Sequence, residues 1–238
     1  MKTSNKTLLI TFMVILALTT IIIVGMEIFF SHNTFPMQKT SENSKTLDKE
    51  FILSGFDSIN CGGSWELEIV YADFYQVIIS APEFMMDYVK PGVVGKTLQI
   101  NQWFFSEPHG ISLKAKIFMP SLTGIESSGF SNSHFSRFNI AHMNLKASET
   151  SRIVGSNSKI ANLDCMGSGS AQINLSSCPT VNAELNLAAT SQITLNMAGG
   201  KLNGHAADNS VLTFSGEVTE VAIDTSGTVK IRQKNLQE

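Results

Sequence analysis

The 238 residues carry a net charge of −3, and only 16% of them are charged. That balance excludes the basic footprint of a nucleic-acid binder. The abundance of Ser, Asn and Thr among so few charges is the surface composition of exported β proteins. Roughly 180 residues remain after an apolar N-terminus and a polar stretch, enough for one domain with a substantial core.

Lys2 and Lys6 precede Leu8–Met26, which runs 19 residues without a charge. As a helix this run spans the ~30 Å core of a bilayer. A cleaved signal peptide has a shorter apolar region of ~7–15 residues and a small-x-small cleavage site. Gly25-Met26-Glu27-Ile28 offers no such site, and no cysteine follows to carry a lipid. Residues 1–30 therefore read as an uncleaved signal anchor, with the lysines in the cytoplasm. This makes it a single-pass chain, with its C-terminal domain in the periplasm or extracellular space. Residues 31–50 are polar and aperiodic and read as a linker. A folded domain over 51–232 and a tail over 233–238 complete the chain.

From Phe51 to Pro120 the apolar residues alternate. Trp65, Leu67 and Ile69 form one run, Tyr75, Val77 and Ile79 another, then Leu98 with Ile100, then Ile111 to Met119. Each predicts a strand that covers a core on one side only. Residues 83–89 break the alternation and predict a short helical turn.

From Ser121 onward a small residue followed by an alternating apolar pair recurs. The units begin at Ser133, Ser151, Ala171, Ser191, Ser210 and Gly227, at steps of 18, 20, 20, 19 and 17 residues. A period near 19 with alternation inside each unit suits short strands wound into stacked coils. The fold class is all-β: a parallel β-solenoid of about 19 residues per coil, right-handed by the general rule for parallel crossovers. Equal phases should stack, so Phe135, Ile153, Ile173, Ile193, Leu212 and Val229 are expected to form one inward ladder. Gly155 stands where later coils carry Leu175, Leu195 and Phe214, so the early coils are expected to be distorted.

The order of these segments also resembles a known family. Gly55-Phe56-Asp57-Ser58-Ile59 comes first, then Gly63 to Ile69, Tyr75 to Ile79, Met86 to Val89 and Lys96 to Ile100. The Ser-Gly turns follow, from Ser127-Ser128-Gly129 to Ser226-Gly227-Thr228-Val229. Over residues 51–232 this order is similar to the bacterial envelope domains described as putative auto-transporter adhesin, head GIN domain, a family of unknown function. The resemblance implies a β-solenoid exported across the inner membrane, which would make that bacterial inner membrane the one holding the single-pass anchor, and it supplies no catalytic residues. The signal anchor departs from the lipoproteins and cleaved exports common in that family.

Catalytic and metal-binding patterns are missing from the sequence. Cys61, Cys165 and Cys178 form no CxxC pair. Cys165 and Cys178 sit at different phases of the repeat and read as buried apolar thiols, with a disulfide between them as the minority reading. His32, His109, His134, His142 and His205 pair with no second ligand at metal-binding spacing. His134 and His142 read as outward-facing, and His205 as part of a turn near Asp208. Asp164, Glu184, Asp208 and Asp224 are placed at different phases of different coils, so no acid–base pair is expected. No cofactor or metal is assigned.

The candidate binding residues are Trp103, Phe104, Phe105 and His109, in a run of three aromatics followed by a turn. Aromatic faces on a loop stack on sugar rings or anchor a partner; packing against the core is the competing reading. The function expected is a non-enzymatic, membrane-anchored envelope protein with an adhesion-like solenoid surface. Its expected partners are the membrane, an envelope protein or polysaccharide, and copies of itself, with no nucleic acid. The alternative is a polysaccharide-acting β-helix enzyme, which a clustered carboxylate pair in a groove would favour.

Overall fold

The computed structural model describes residues 45–101 and 113–234. The alternating segments form strands that wind as coils with two walls around one core. No helix among the described residues is long and apolar enough to cross a membrane. The segment assigned above as an anchor, 1–30, lies outside them.

In chain order the first elements are β1 (Thr46–Phe51), β2 (Ser58–Gly62), β3 (Trp65–Tyr71), β4 (Gln76–Pro82), a short helix α1 (Glu83–Met86), β5 (Gly92–Val94), β6 (Thr97–Asn101) and β7 (Leu113–Met119). The sequence reading treats this region as strands ahead of the repeats. It instead contains two coils of the solenoid, one from β2 and β3 and one from β6 and β7. They are not stacked in chain order. With β8 (Gly124–Ser127) and β9 (Asn132–Ser136) following, β2 lies between β6 and β8, and β3 between β7 and β9, all parallel. The chain makes one coil, leaves through β4, returns beneath that coil, and then crosses to its other side. Glu66–Lys114 at 2.9 Å and Glu68–Lys116 at 3.1 Å bridge the outer rungs of the two coils.

Three antiparallel contacts close the N-terminal end. β4 pairs with β7, β1 with β4, and β5 with β6. The expected helical turn is α1, which buries Met85 and Met86 against the end of the core.

The regular part continues through β10 (Asn139–Ala147), β11 (Arg152–Ser156), β12 (Lys159–Gly167), β13 (Gln172–Leu187), β14 (Gln192–Asp208), β15 (Val211–Gly227) and β16 (Lys230–Lys234). On one wall Asn132, Arg152, Gln172, Gln192, Val211 and Lys230 are successive parallel partners, so the coil step is 20 residues and later 19. The early coils are built from short strands, as expected. The later ones are not: β13, β14 and β15 run 16 and 17 residues through the second corner and serve both walls. Register shifts near Pro179 and near Ala198–Lys201 bend them. In the two earlier coils that corner is a true turn, at Arg137 and Asn157, both with positive φ.

The inward ladder exists but is displaced at both ends. Ser133, not Phe135, stacks with Ile153, and Ile231, not Val229, stacks with Leu212; Ile173 and Ile193 hold the middle. Phe135 stacks instead with Gly155, in the adjacent column that continues through Leu195 and Phe214. The expected distortion at Gly155 has a steric cause. A Cβ there would meet Phe135 Cζ at 2.5 Å, Cys178 Sγ at 2.8 Å and Leu175 Cδ2 at 2.9 Å. The phenyl ring fills the space that the missing side chain leaves.

The first corner repeats more strictly than either wall. Gly129, Glu149, Gly169, Ala189, Asp208 and Gly227 all take positive φ, from 58° to 82°. Two residues on come Ser131, Ser151, Ala171, Ser191, Ser210 and Val229, of which the first five are at most 1% exposed. The small-residue column therefore runs from Ser131 to Ser210, not from Ser133 to Gly227, and the larger Val229 takes its place in the last coil. Ser131, Ser151 and Ser191 each donate their hydroxyl to the carbonyl three residues back, at 2.8 Å. Consecutive corners bond to each other: Ser148 N to Ser127 O at 3.0 Å, Ser168 N to Ala147 O at 3.0 Å, and Ala188 N to Gly167 O at 2.9 Å. A larger side chain would crowd the next coil and lose the hydroxyl's bond, while the amides of Ser151 and Ser191 still reach Ser148 O and Ala188 O.

All three cysteines are buried and free. Cys165 stacks between Leu145 and Leu185 as an apolar side chain. Burial pushes the thiols of Cys61 and Cys165 up to about 12, against a hydrogen bond with Ser131 in the case of Cys61. Both stay neutral in the core at ordinary pH.

Ile173 occupies the centre of its ladder and is 3% exposed. Ile173→Asp puts an unpaired carboxylate there, at a cost of several kcal/mol, and should abolish the cooperative unfolding transition followed by circular dichroism. The neighbouring outward change Gln172→Asp should stay within about 0.5 kcal/mol of wild type.

Candidate functional site

The inward positions are fixed by stacking, so the outward rows are where chemistry can differ from coil to coil. On the wall formed by β10, β12 and the second halves of β13, β14 and β15, two outward columns run side by side. One reads Asn144, Asp164, Glu184, Asn203 and Ala222. The other reads Lys146, Met166, Asn186, His205 and Asp224. Between them, facing inward, run Leu145, Cys165, Leu185, Gly204 and Ile223. At the ~4.8 Å spacing of neighbouring strands these columns form a regular lattice of side chains across five coils.

This surface is concave. A groove of about 570 Å³ is lined by Asp164, Glu184, Asn186, His205 and Asp224, with Asn144 at one end. Gly204 lies at its floor with φ of +132°, and a Cβ there would collide with the backbone carbonyl of Leu185. The backbone of β14 can pack that closely on β13 only because glycine stands at this position.

The structure corrects the sequence reading of the carboxylates. Asp164 and Glu184 do not occupy different phases; they are direct partners on adjacent coils. Their separation of 20 residues equals the coil step, which was the available signal. His205 is not in a turn but within β14, paired with Asp224 in the next coil. Asp208 stands apart at the first corner, where its carboxylate accepts the amide of Ala189 at 2.9 Å. The groove thus holds three carboxylates and one imidazole, all on exposed side chains.

Two further rows border the groove or face away from it. At the second corner Asn182 donates to Asn162 Oδ1 at 3.1 Å and accepts from Lys201 N at 3.1 Å, so each amide links one coil to the next. On the opposite wall His134 faces outward and lies 2.9 Å from Ser156 Oγ. His142 is exposed on β10 beside Asn162, as expected. Trp103, Phe104, Phe105 and His109, the candidates singled out by sequence, lie outside the described residues. Among the described residues no cluster of three or more His, Cys, Asp or Glu is arranged to hold a metal ion.

The coil geometry has counterparts among solved structures. A putative adhesin from Bacteroides fragilis is similar over 81% of this chain and 98% of its own, at 13% identity, with a TM-score of 0.65. A putative lipid binding protein from Parabacteroides distasonis shares 17% identity at a TM-score of 0.53, over 81% of this chain and 98% of its own. A putative adhesin from Parabacteroides merdae shares 13% identity at a TM-score of 0.53, over 81% of this chain and 97% of its own. At these identities the likeness concerns the fold. No curated protein sequence matches the chain. The family model for putative auto-transporter adhesin, head GIN domain, matches residues 55–178, more than half of the chain. The match takes in the permuted N-terminal coils and the first regular ones, and the chain belongs to this family.

Proposed function

We propose that this chain is a non-enzymatic envelope protein, held in the bacterial inner membrane by residues 1–30, whose right-handed solenoid binds an extended polymer along the β10–β15 groove. The observation that carries this reading is the pair of outward columns at coil spacing. A ligand that repeats along its length can meet a polar side chain on successive coils, Asn144, Asp164, Glu184 and Asn203 in one column and Asn186, His205 and Asp224 in the other, and each added contact raises the total. Carboxylates, amides and an imidazole in one groove match the hydroxyls of a polysaccharide, whose donors and acceptors both find partners. Three carboxylates in the groove oppose an anionic polymer, which favours a neutral glycan. They also disfavour an acyl chain in this groove. We assign Trp103, Phe104, Phe105 and His109 to the same role on residue type alone, as aromatic faces for sugar rings.

A second reading rests on one observation. Asp164 and Glu184 sit on adjacent rungs, and paired carboxylates are the machinery of glycoside hydrolysis. Their exposure argues for binding, because a hydrolase gains from enclosing its acid and base away from water. The full-length protein in detergent micelles should bind neutral envelope polysaccharide. Asp164→Asn with Glu184→Gln should weaken binding at least about tenfold, or ~1.4 kcal/mol, without altering the melting temperature. New reducing ends in polysaccharide incubated with wild type, and none with the variant, would establish the enzyme instead.

Anchorage is tested separately. The chain should stay with membranes through an alkaline carbonate wash at its full length. A soluble product shorter by about 26 residues would mean that the apolar run is a cleaved signal.

A further inference from the structure

The two ends of the solenoid are finished differently. At the N-terminal end β1, β4 and β5 run antiparallel to the coils, and Met85 and Met86 of α1 cover the core. The edge strand β1 carries Asp48, Lys49 and Glu50, charges of the kind that discourage further pairing. At the C-terminal end the last coil consists of the second half of β15 and of β16. Among the described residues, no strand pairs with the outer edge of either.

Among the described residues the core columns stop there without a cover. Val221 stacks on Leu202, and Ile231 on Leu212. Leu202 and Leu212 are 0% exposed, whereas Val221 and Ile231 are 45% and 41% exposed. Repeat proteins ordinarily end in a cap with a polar outer face, and an open apolar parallel edge is a template for another strand.

The outward side chains of this coil are sorted by sign. β16 presents Lys230, Arg232 and Lys234. The second half of β15 presents Glu220 and Asp224, of which Glu220 also pairs with Lys201 one coil away at 2.7 Å. Two copies meeting end to end through a two-fold axis have two choices. An axis crossing from wall to wall sets each edge against itself, so three cations face three cations. An axis parallel to the strands exchanges the walls, so each β16 lies antiparallel to the partner's β15 and the basic row faces the acidic one. Only the second arrangement is electrostatically favourable.

We propose that the C-terminal coil is a homodimer interface, in which β16 pairs antiparallel with the second half of the partner's β15. The contact closes both open edges at once, continues the sheet of each wall into the second copy, and buries Val221 and Ile231. It turns two short solenoids into one long one with the N-terminal caps at its outer ends.

The test is the mass of the full-length protein in detergent, by light scattering that separates protein from micelle. Wild type should have twice the 25.9 kDa of the single chain. Lys230→Glu with Arg232→Glu places acid against acid and should give the single-chain mass. Adding Glu220→Lys with Asp224→Lys restores opposite signs and should restore the dimer. A dimer that survives the first pair of changes overturns the assigned faces. A wild-type monomer overturns the proposal; amide exchange in β16 then tells what occupies the end, with slow exchange meaning a segment of the same chain and fast exchange an open edge.

Discussion

The fold depends on one repeated contact, the first corner. There a residue with positive φ is followed two positions on by a small buried side chain, and the amides of each turn bond to the carbonyls of the turn before. Among the described residues the second corner shows the same combination only locally, at Asn157 and Ser158, where Phe138 N donates to Ser158 Oγ; the first corner repeats it from coil to coil. Glu149 and Ala189 accept positive φ without being glycine, a strain of about 1–2 kcal/mol each. The cost is met because the corner sets the register for the whole coil that follows. Once Ser151, Ala171 and Ser191 are aligned, Ile153, Ile173 and Ile193 stack without further instruction.

That division of labour frees the outer surface. Inward positions must be apolar and compatible with the coil above and below, as Phe135 and Gly155 are with each other. Outward positions answer only to solvent and ligand. The same 20-residue step that stacks leucine on cysteine in the core therefore sets Asp164 beside Glu184 on the groove. A solenoid produces such rows from single substitutions, because every coil offers the same position again. The second corner is looser. Early coils use a turn there and later ones a bent continuous strand, so the wall carrying the groove varies more from coil to coil than the corner that anchors it.

The repeat, the all-β class and the family were legible in the sequence because short-period alternation leaves few alternatives. The exact stacking was not. Positions i and i+2 of a strand face the same side, so a ladder displaced by two residues keeps every apolar residue inside. That is why Phe135 and Val229 looked like members of the column that Ser133 and Ile231 occupy. The permuted N-terminal coils were hidden for another reason. Which strand lies beside which is decided by long-range pairing, and β2 and β6 carry the same alternating pattern wherever they stack. The carboxylate pair was within reach, since Asp164 follows Ser151 at the same distance as Glu184 follows Ala171, and that spacing matches the coil step. Nothing in local pattern could have announced the uncovered C-terminal coil, because β16 reads like any other strand until its neighbours are known.

The central claim is that side chains of equal phase on successive coils share one space. The contact between Phe135 and Gly155 tests it most directly, through a double-mutant cycle of unfolding free energies. Gly155→Ala alone should cost about 1–3 kcal/mol, because its methyl meets the phenyl ring. In a Phe135→Leu background, where Cζ is gone, the same change should cost at least about 1 kcal/mol less. Costs that simply add, within about 0.3–0.5 kcal/mol, would mean that the two residues do not meet and that the register described here is wrong.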